Sequence, residues 1–526
     1  MGLFDRFRSQ PWSLEGLDAP WGDRPSIYEH VRARLAAGEP LGDLPDEALV
    51  AEQSGGLHYA PGARDGILGH HGSGGQEARG HQIAEALLDL AGKSTDGRLD
   101  FLYQLVLRAP LVSAVDAIIE AVEGAKGSDP AHLEAIGVYL ATRAADREAV
   151  KLGMSVLGAL EGRPHQHLFM TLGRHEELTL YAAVGLINAL EAPEAPLFEL
   201  ARQVKGWGRI QLVERLADTT DPEVRAWLLR EGWDNEAMVE YTAHTCATAG
   251  GLVVALQDPE IDDVLLRSGG ALLAALAAGG PAAGMDDYED GPAALAAWLG
   301  HLERRPGTSL EHLPRLQALS RWLALEEGGP GDGWEAIRGS LRDACVRVLG
   351  LPAWPPLVEA ALASEDEAAQ RVGGAAARAI GIAVVGRHLA QLKQEPLHAD
   401  AWARLFEECE EAQIGDVVAA AEALLPLATL STGPTDDLGL GPGYDAHHAL
   451  DAVLEGLQGF PGRGARLIAT GLRSPVVRNR SMALQALAGW EIEEWDPSFK
   501  ALLSEAAEAE PNPELRERLE EAALEQ

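Results

Sequence analysis

GWGRIQLVERLADTTDPEVRAWLLREGWDNEAMVEYTAHTCATAG, residues 206–250, is the stretch whose reading decides the fold. Ile210, Val213 and Leu216 recur at every third position, which predicts a helix over 207–217 with one buried face. Asp221 offers an N-cap oxygen and Pro222 stands at a first helical position, where a missing N–H is no loss, so a second helix starts there and buries Val224, Trp227 and Leu228. Gly232 suits its C-terminal stop. Asp234 or Asn235 then caps a third helix whose stripe is Met238, Tyr241, Thr242 and Thr245. Three short amphipathic helices joined by turns cannot cover their own stripes; stacked neighbours can.

The rest of the chain repeats this pattern. Of 526 residues, 46% are hydrophobic but only 5% aromatic. Alanine, leucine and glutamate dominate, residues that lose little freedom in a helix, and strand-like alternation is lacking, so the expected class is all-α. Residues 1–75 are rich in Gly, Pro and His, with short helical pieces at 26–36 and 46–53, and are expected to form an irregular, loop-rich N-terminal cap over one end of a stacked array. The array itself is expected over 76–430, followed by a Gly/Pro-rich loop at 431–445 and by C-terminal repeats with an acidic end at 446–526. The first buried residue after successive turns is Leu133, Leu178, Val224 and Ile261, at separations of 45, 46 and 37; Val477 and Leu515 are 38 apart. Such periods belong to paired-helix repeats.

DPEVR at 221–225, SPVVRNRSMALQAL at 474–487 and NPELRERLEEAAL at 512–524 resemble the second-helix signature of HEAT repeats, within the HEAT and armadillo class. The resemblance implies an α-α superhelix in which the Asp or its substitute caps the helix, the Val or Leu enters the core and the Arg reaches toward the neighbouring repeat. It identifies an architecture rather than an activity.

Charge narrows the partners. With 43 basic and 81 acidic residues the formal net charge is −38, which repels phosphate backbones and anionic membranes, so neither nucleic acid nor membrane is an expected partner. The strong preference for Arg over Lys reads as a coding bias. Three cysteines with no C-x-x-C pair argue against a disulfide framework and a zinc knuckle, and no long apolar run or cleavable leader is present, so a cytoplasmic protein is expected. The loops at 277–292, 326–334 and 431–445 are candidate contact loops, because insertions in repeat arrays project from one face.

Catalytic and cofactor motifs fail on inspection. Gly92-Lys93-Ser94 lacks the first glycine of a phosphate loop, Leu87 standing there, and His71 occupies the first glycine of a would-be G-x-S-x-G. Histidines cluster at 70–71, at 165, 167 and 175, and at 447–448, without H-E-x-x-H or a Cys/His set, so no metal or cofactor is expected. The run 57–75 brings His58, Tyr59, Arg64, Asp65, His70 and His71 into one Gly-rich segment, either a functional loop or an edge of the cap. In the opening stretch, Arg209, Asn235, Tyr241 and His244 are the candidate binding residues of a concave groove, although 205–250 as a whole carries 5 basic and 8 acidic residues and is no basic patch. The expected protein is a non-catalytic scaffold that engages another protein, one with a basic face. An immunity or inhibitor protein of a neighbouring effector, and a HEAT-repeat lyase or modifying enzyme, stay open as alternatives.

Overall fold

The computed structural model describes residues 12–53, 59–71, 77–124, 129–160, 165–280, 282–326, 328–331, 333–441, 443–490 and 499–524, the side chains of 53, 68–71, 77, 500 and 524 excepted. Among these residues the chain is all-α: 66% helical, thirty α-helices and no strand. It divides into two units, 1–304 with 318–344, and 305–317 with 345–526.

In the first unit the opening stretch folds as Gly206–Glu214, Pro222–Trp227 continuing through a π-helical turn to Gly232, and Glu240–Gly250. Asp221 Oδ1 accepts from the backbone N–H groups of Glu223 (2.7 Å) and Val224 (3.3 Å), the N-cap that its position ahead of Pro222 predicts. The third helix keeps two of its four expected buried positions, Tyr241 and Thr242. Its buried face is Tyr241, Thr242, Ala243, Cys246, Ala247 and Gly250, whereas Met238 is exposed and Thr245 half-buried. Small residues let helices approach: a Cβ on Gly250 would stand 2.6 Å from Leu229 Cγ. A stripe chosen by side-chain size misses a face chosen by fit.

Neighbouring helices pack in a ladder. Pro130–Arg143 packs on Arg147–Ala159, which packs on Glu176–Ala189; then follow Gly206–Glu214, Glu240–Gly250, Asp263–Ala278 and Gly291–Arg304, each on the one before. This order is compatible with a helical repeat. Helix starts at Pro130, Glu176, Pro222 and Asp263 are separated by 46, 46 and 41 residues. The last start lies beyond the DPEI turn because Asp262, not Asp258, caps the helix, its Oδ1 2.8 Å from Leu265 N. In the second unit Asp445–Leu457 packs against Ala399–Glu407 and Val477–Ala488, and Phe499–Ala509 against Pro513–Leu524.

The N-terminal segment belongs to the first unit. Helices Ile27–Ala37 and Glu47–Gln53 fall where expected, but Ala63–His71 is also helical, inside the run taken for a Gly-rich loop. Gly66 is the reason glycine misleads there. The helix lies against Trp207, and a Cβ at Gly66 would enter the indole ring. Ala63, Trp207, Ile210 and Tyr241 form one buried cluster at this contact, with the Trp207 and Tyr241 rings 5.2 Å apart. Replacing Gly66 by Ala is expected to destabilise the first unit by about 1–3 kcal/mol through overpacking. Urea denaturation followed by Trp fluorescence checks it, and a midpoint equal to wild type would show the contact to be yielding.

Candidate functional site

Of the four candidate residues, Arg209 and Asn235 are held by the turns of their own stretch, whereas Tyr241 and His244 meet segments outside it. Arg209 Nε donates to Val204 O (2.9 Å), its NH1 to Asp234 O (2.6 Å) and Glu231 O (3.3 Å), and its guanidinium lies 5.7 Å from the Trp227 ring centre. Burial lowers its pKa, against the opposing pull of Asp234. Asn235 is 0% exposed. Its Oδ1 accepts from Ala237 and Met238 N–H, and its Nδ2 donates to Met238 O (2.9 Å) and Thr242 Oγ1 (3.1 Å). Tyr241 lies in the buried cluster under Ala63–His71, and half-buried His244 stands 3.2 Å from Asp287 O through Nε2. The amide and guanidinium thus close turns and cap helix ends. Arg230 reaches the cap of the helix Asp263–Ala278, its NH1 2.7 Å from Asp262 Oδ2.

The strongest concentration of charge lies instead between the N-terminal segment and the helices Arg147–Ala159 and Glu176–Ala189. Lys151 is 0% exposed, and its Nζ stands 2.7 Å from Asp65 Oδ2, 2.6 Å from Glu177 Oε1 and 3.1 Å from Glu148 Oε1, over the Tyr181 ring at 5.6 Å. One turn earlier Arg147 pairs with Asp46 (3.0 Å) and Glu47 (2.5 Å). Glu177 Oε2 accepts from Gly62 N–H at 2.8 Å. Burial works to lower the Lys151 pKa, but Asp65, Glu148 and Glu177 hold it well above its ordinary value. A lysine kept charged has no lone pair for imine formation, so this cage clamps the N-terminal segment in place rather than supplying a nucleophile. Sequence reasoning passed it over. Its signals were Asp65, named within the run 57–75, and Lys151, a lone lysine in the apolar run AVKLGMSVLGAL, with nothing to join them.

Beside the cage opens a cleft of about 420 Å³, lined among others by Gly42, Arg174, His175, Glu176 and Lys205. His175 Nε2 donates to Gly42 O (2.9 Å) while Nδ1 accepts from Glu177 N–H (3.2 Å), so the neutral imidazole has no nitrogen left for proton transfer in the cleft.

In the second unit Ser474, His447, Asn479 and Asp451 form a group with the composition of a hydrolase site. Its bonding differs from one. Asn479 Oδ1 lies 2.6 Å from His447 Nδ1 and accepts from Ser474 Oγ at 2.8 Å, so the proton sits on Nδ1 and that nitrogen, 3.4 Å from Ser474 Oγ, cannot serve as its base. Asn479 Nδ2 completes the network to Asp451 Oδ1 (2.5 Å) and His447 O (2.9 Å). His448 points elsewhere, to Gly439 O at 3.1 Å. Among the described residues no group of three or more His, Cys, Asp or Glu side chains could hold a metal ion, and no single helix is long and apolar enough to cross a membrane. The side chains of His70 and His71, and all of His58, lie outside the described residues. Comparison with known protein families, curated proteins and solved structures found no significant match to this chain.

Two outcomes are expected of the clamp. Replacing Lys151 by Met leaves buried carboxylates without their cation and should destabilise the first unit by about 3–5 kcal/mol, whereas breaking the exposed Lys205–Glu236 pair by Lys205→Met should cost no more than about 1 kcal/mol. Guanidinium denaturation of both variants measures the difference, and equal midpoints would remove the clamp from the account.

The second outcome concerns pH. Burial lowers the His175 pKa ahead of the opposing Gly42 bond; burial works to raise that of Glu177, but Lys151, Arg147 and the Gly62 N–H hold it below the usual range. Both groups are therefore unprotonated in the fold at pH values where the unfolded chain binds protons. Their stability contribution is complete above the unfolded values, about 6.5 for His and 4.3 for Glu, starts to fade as pH falls below them and is gone once pH has fallen through the lower folded values. Glu148, raised chiefly by burial, works in the opposite sense. Urea midpoints should decline from pH 7 toward pH 4, and less steeply in His175→Gln. Parallel profiles for the two proteins would contradict the assignment of the upper part of the decline to His175.

Proposed function

We propose that the chain is a HEAT-type helical repeat protein of the cytoplasm that binds another protein through a basic face on that partner and performs no catalysis itself. The observation that carries this reading is the division of labour between its charges. Arginines such as Arg79, Arg98, Arg209, Arg378 and Arg516 donate to backbone carbonyls, and Arg147 and Arg480 lie in buried ion pairs. The acidic residues outnumber the basic ones 81 to 43, which leaves an excess of carboxylates on a chain of net charge −38. Extended acidic surfaces steer and select basic partners without any catalytic constellation. The polar groups that could have formed such a constellation, His175, His447, Ser474 and Asn479, have internal partners, which supports binding over chemistry.

Salt-titrated co-purification tests it. A specific partner retained at about 0.1 M salt should be released toward 1 M as the screening length shrinks from about 10 Å to 3 Å. Retention indifferent to ionic strength, or no retained protein at all, would overturn the proposal.

A further inference from the structure

The three Gly/Pro-rich loops are built differently. The loop after Asp263–Ala278 folds Met285 and Tyr288 into the interior, and the one near 330 buries Trp334 edge-on against Trp322. The 431–445 loop does the reverse: Leu438 is 65% and Leu440 76% exposed. A single exposed leucine needs no explanation, but two at i and i+2 on a fixed backbone do.

The backbone is fixed from several sides. Gly433 N and Thr435 N donate to Arg473 O (2.9 Å) and Pro475 O (3.3 Å), and Val477 N donates to Asp437 O at 2.9 Å. Asp437 accepts from Gly439 N (2.9 Å) and Tyr444 OH (2.7 Å), and buried Arg480, paired with Glu510, donates to Thr435 O at 2.9 Å. Gly439 sits at φ 68° so close to Val476 that a Cβ would stand 2.7 Å from its Cγ1. Its carbonyl faces His448 Nε2 at 3.1 Å. With Gly439 pressed inward, the side chains on either side of it turn outward. The exposure of the leucines is thus imposed by the anchoring of the loop.

Charge around the loop is one-sided. Arg473, Arg478 and Arg480 pair with Glu505, Asp451 and Glu510, whereas exposed Asp436 and Asp445 have no ion-pair partner among the described residues. We propose that this loop is a docking peg: Leu438 and Leu440 enter an apolar pocket rimmed by arginine or lysine on the partner protein. The inference rests on the reading of the chain as a protein-binding module and names where that binding occurs. A loop already held in its bound shape loses little conformational freedom on docking, so the apolar contact is realised as affinity.

The test uses the full chain carrying the photo-crosslinker benzoylphenylalanine at position 440, irradiated in lysate of the source organism, with the cross-linked peptide sequenced. Support is an adduct to one protein at an apolar site flanked by Arg or Lys. Its yield should drop roughly tenfold or more in Leu438→Asp and at about 1 M salt, and stay unchanged in Val254→Asp, an equally exposed apolar position outside the loop. Urea midpoints establish that both variants fold. The peg is overturned by no adduct, by adducts only to another copy of the chain, or by flotation with phosphatidylcholine vesicles that Leu438→Asp abolishes. If a partner co-purifies equally with wild type and with the double variant Leu438→Asp, Leu440→Asp, the loop assignment falls while the binding-module reading stands; if neither retains a partner, both fall.

Discussion

Every short helix ends in carbonyls with no partner of its own, and a chain made of some thirty of them must satisfy those groups or leave them to water. Here long side chains from elsewhere in the chain do it. Arg79 donates to Val106, Ala109 and Pro110 carbonyls at the end of Asp96–Val106, and Arg98 to Asp89 O near the end of Glu77–Gly92. Arg378 donates to Glu407 O, the last carbonyl of Ala399–Glu407. Indole N–H groups act likewise: Trp12 on Leu90 O, Trp354 on Val348 O and Trp490 on Leu457 O. The guanidinium fork reaches two or three carbonyls at once, which a lysine ammonium does less well, so the arginine preference has a structural use whatever its origin in coding. Where the capping side chain is buried, as at Trp354 and Trp490, the residue that satisfies a carbonyl also belongs to the core.

The clamp around Lys151 applies the same logic at higher stakes. An N-terminal segment of short helices, Ile27–Ala37, Glu47–Gln53 and Ala63–His71, has too small an apolar face to hold itself on the ladder by burial alone. Carboxylates at Asp46, Glu47 and Asp65 meet Arg147 and Lys151 on the adjoining helix, and the Gly62 N–H adds a bond to Glu177. Such an arrangement is weak evidence for net stabilisation, since taking these charges from water is costly. What it supplies is selectivity of docking. A shifted segment would take Asp65 from Lys151 and Asp46 and Glu47 from Arg147, so neighbouring positions lose counter-charges that the correct one supplies.

Much of the fold was legible because local signals agreed with it. Asp221–Pro222 and Asp129–Pro130 mark helix starts that the structure keeps, with Asp221 and Asp129 accepting the capping bonds. Where a glycine served close approach rather than chain reversal, local reading failed, as at Gly66 against Trp207 and Gly250 against Leu229. The buried face of Glu240–Gly250 was legible at Tyr241 and Thr242 but not at Ala243, Cys246 and Ala247, which are chosen for how near a neighbour can come, a property of the pair and not of the segment. The candidate residues Arg209 and Asn235 were singled out as polar groups in a dense repeat. Nothing local could show that their partners would be the carbonyls of Asp234 and Met238 and the hydroxyl of Thr242. Lys151 and Asp65 are distant in sequence, and a lone lysine in an apolar run announces that a counter-charge exists without saying where.

Satisfying so many polar groups internally has a consequence for what the surface can do. Many arginines cap helix ends and several histidines bridge turns, so a partner of the kind proposed would be recognised through features that the interior does not consume. Two such features remain. One is the excess of exposed carboxylates, which acts over a screening length and selects by sign. The other is apolar surface that the fold holds outward, and Leu438 and Leu440 are the clearest case, because Arg480, Asp437 and Gly439 fix the loop that carries them. Charge without an apolar contact gives fast but loose association, and an apolar contact without charge gives poor discrimination. Their occurrence together on one anchored loop is what a selective protein contact requires, and the buried Arg480–Glu510 pair beneath it keeps the loop from relaxing into a shape that would hide the leucines.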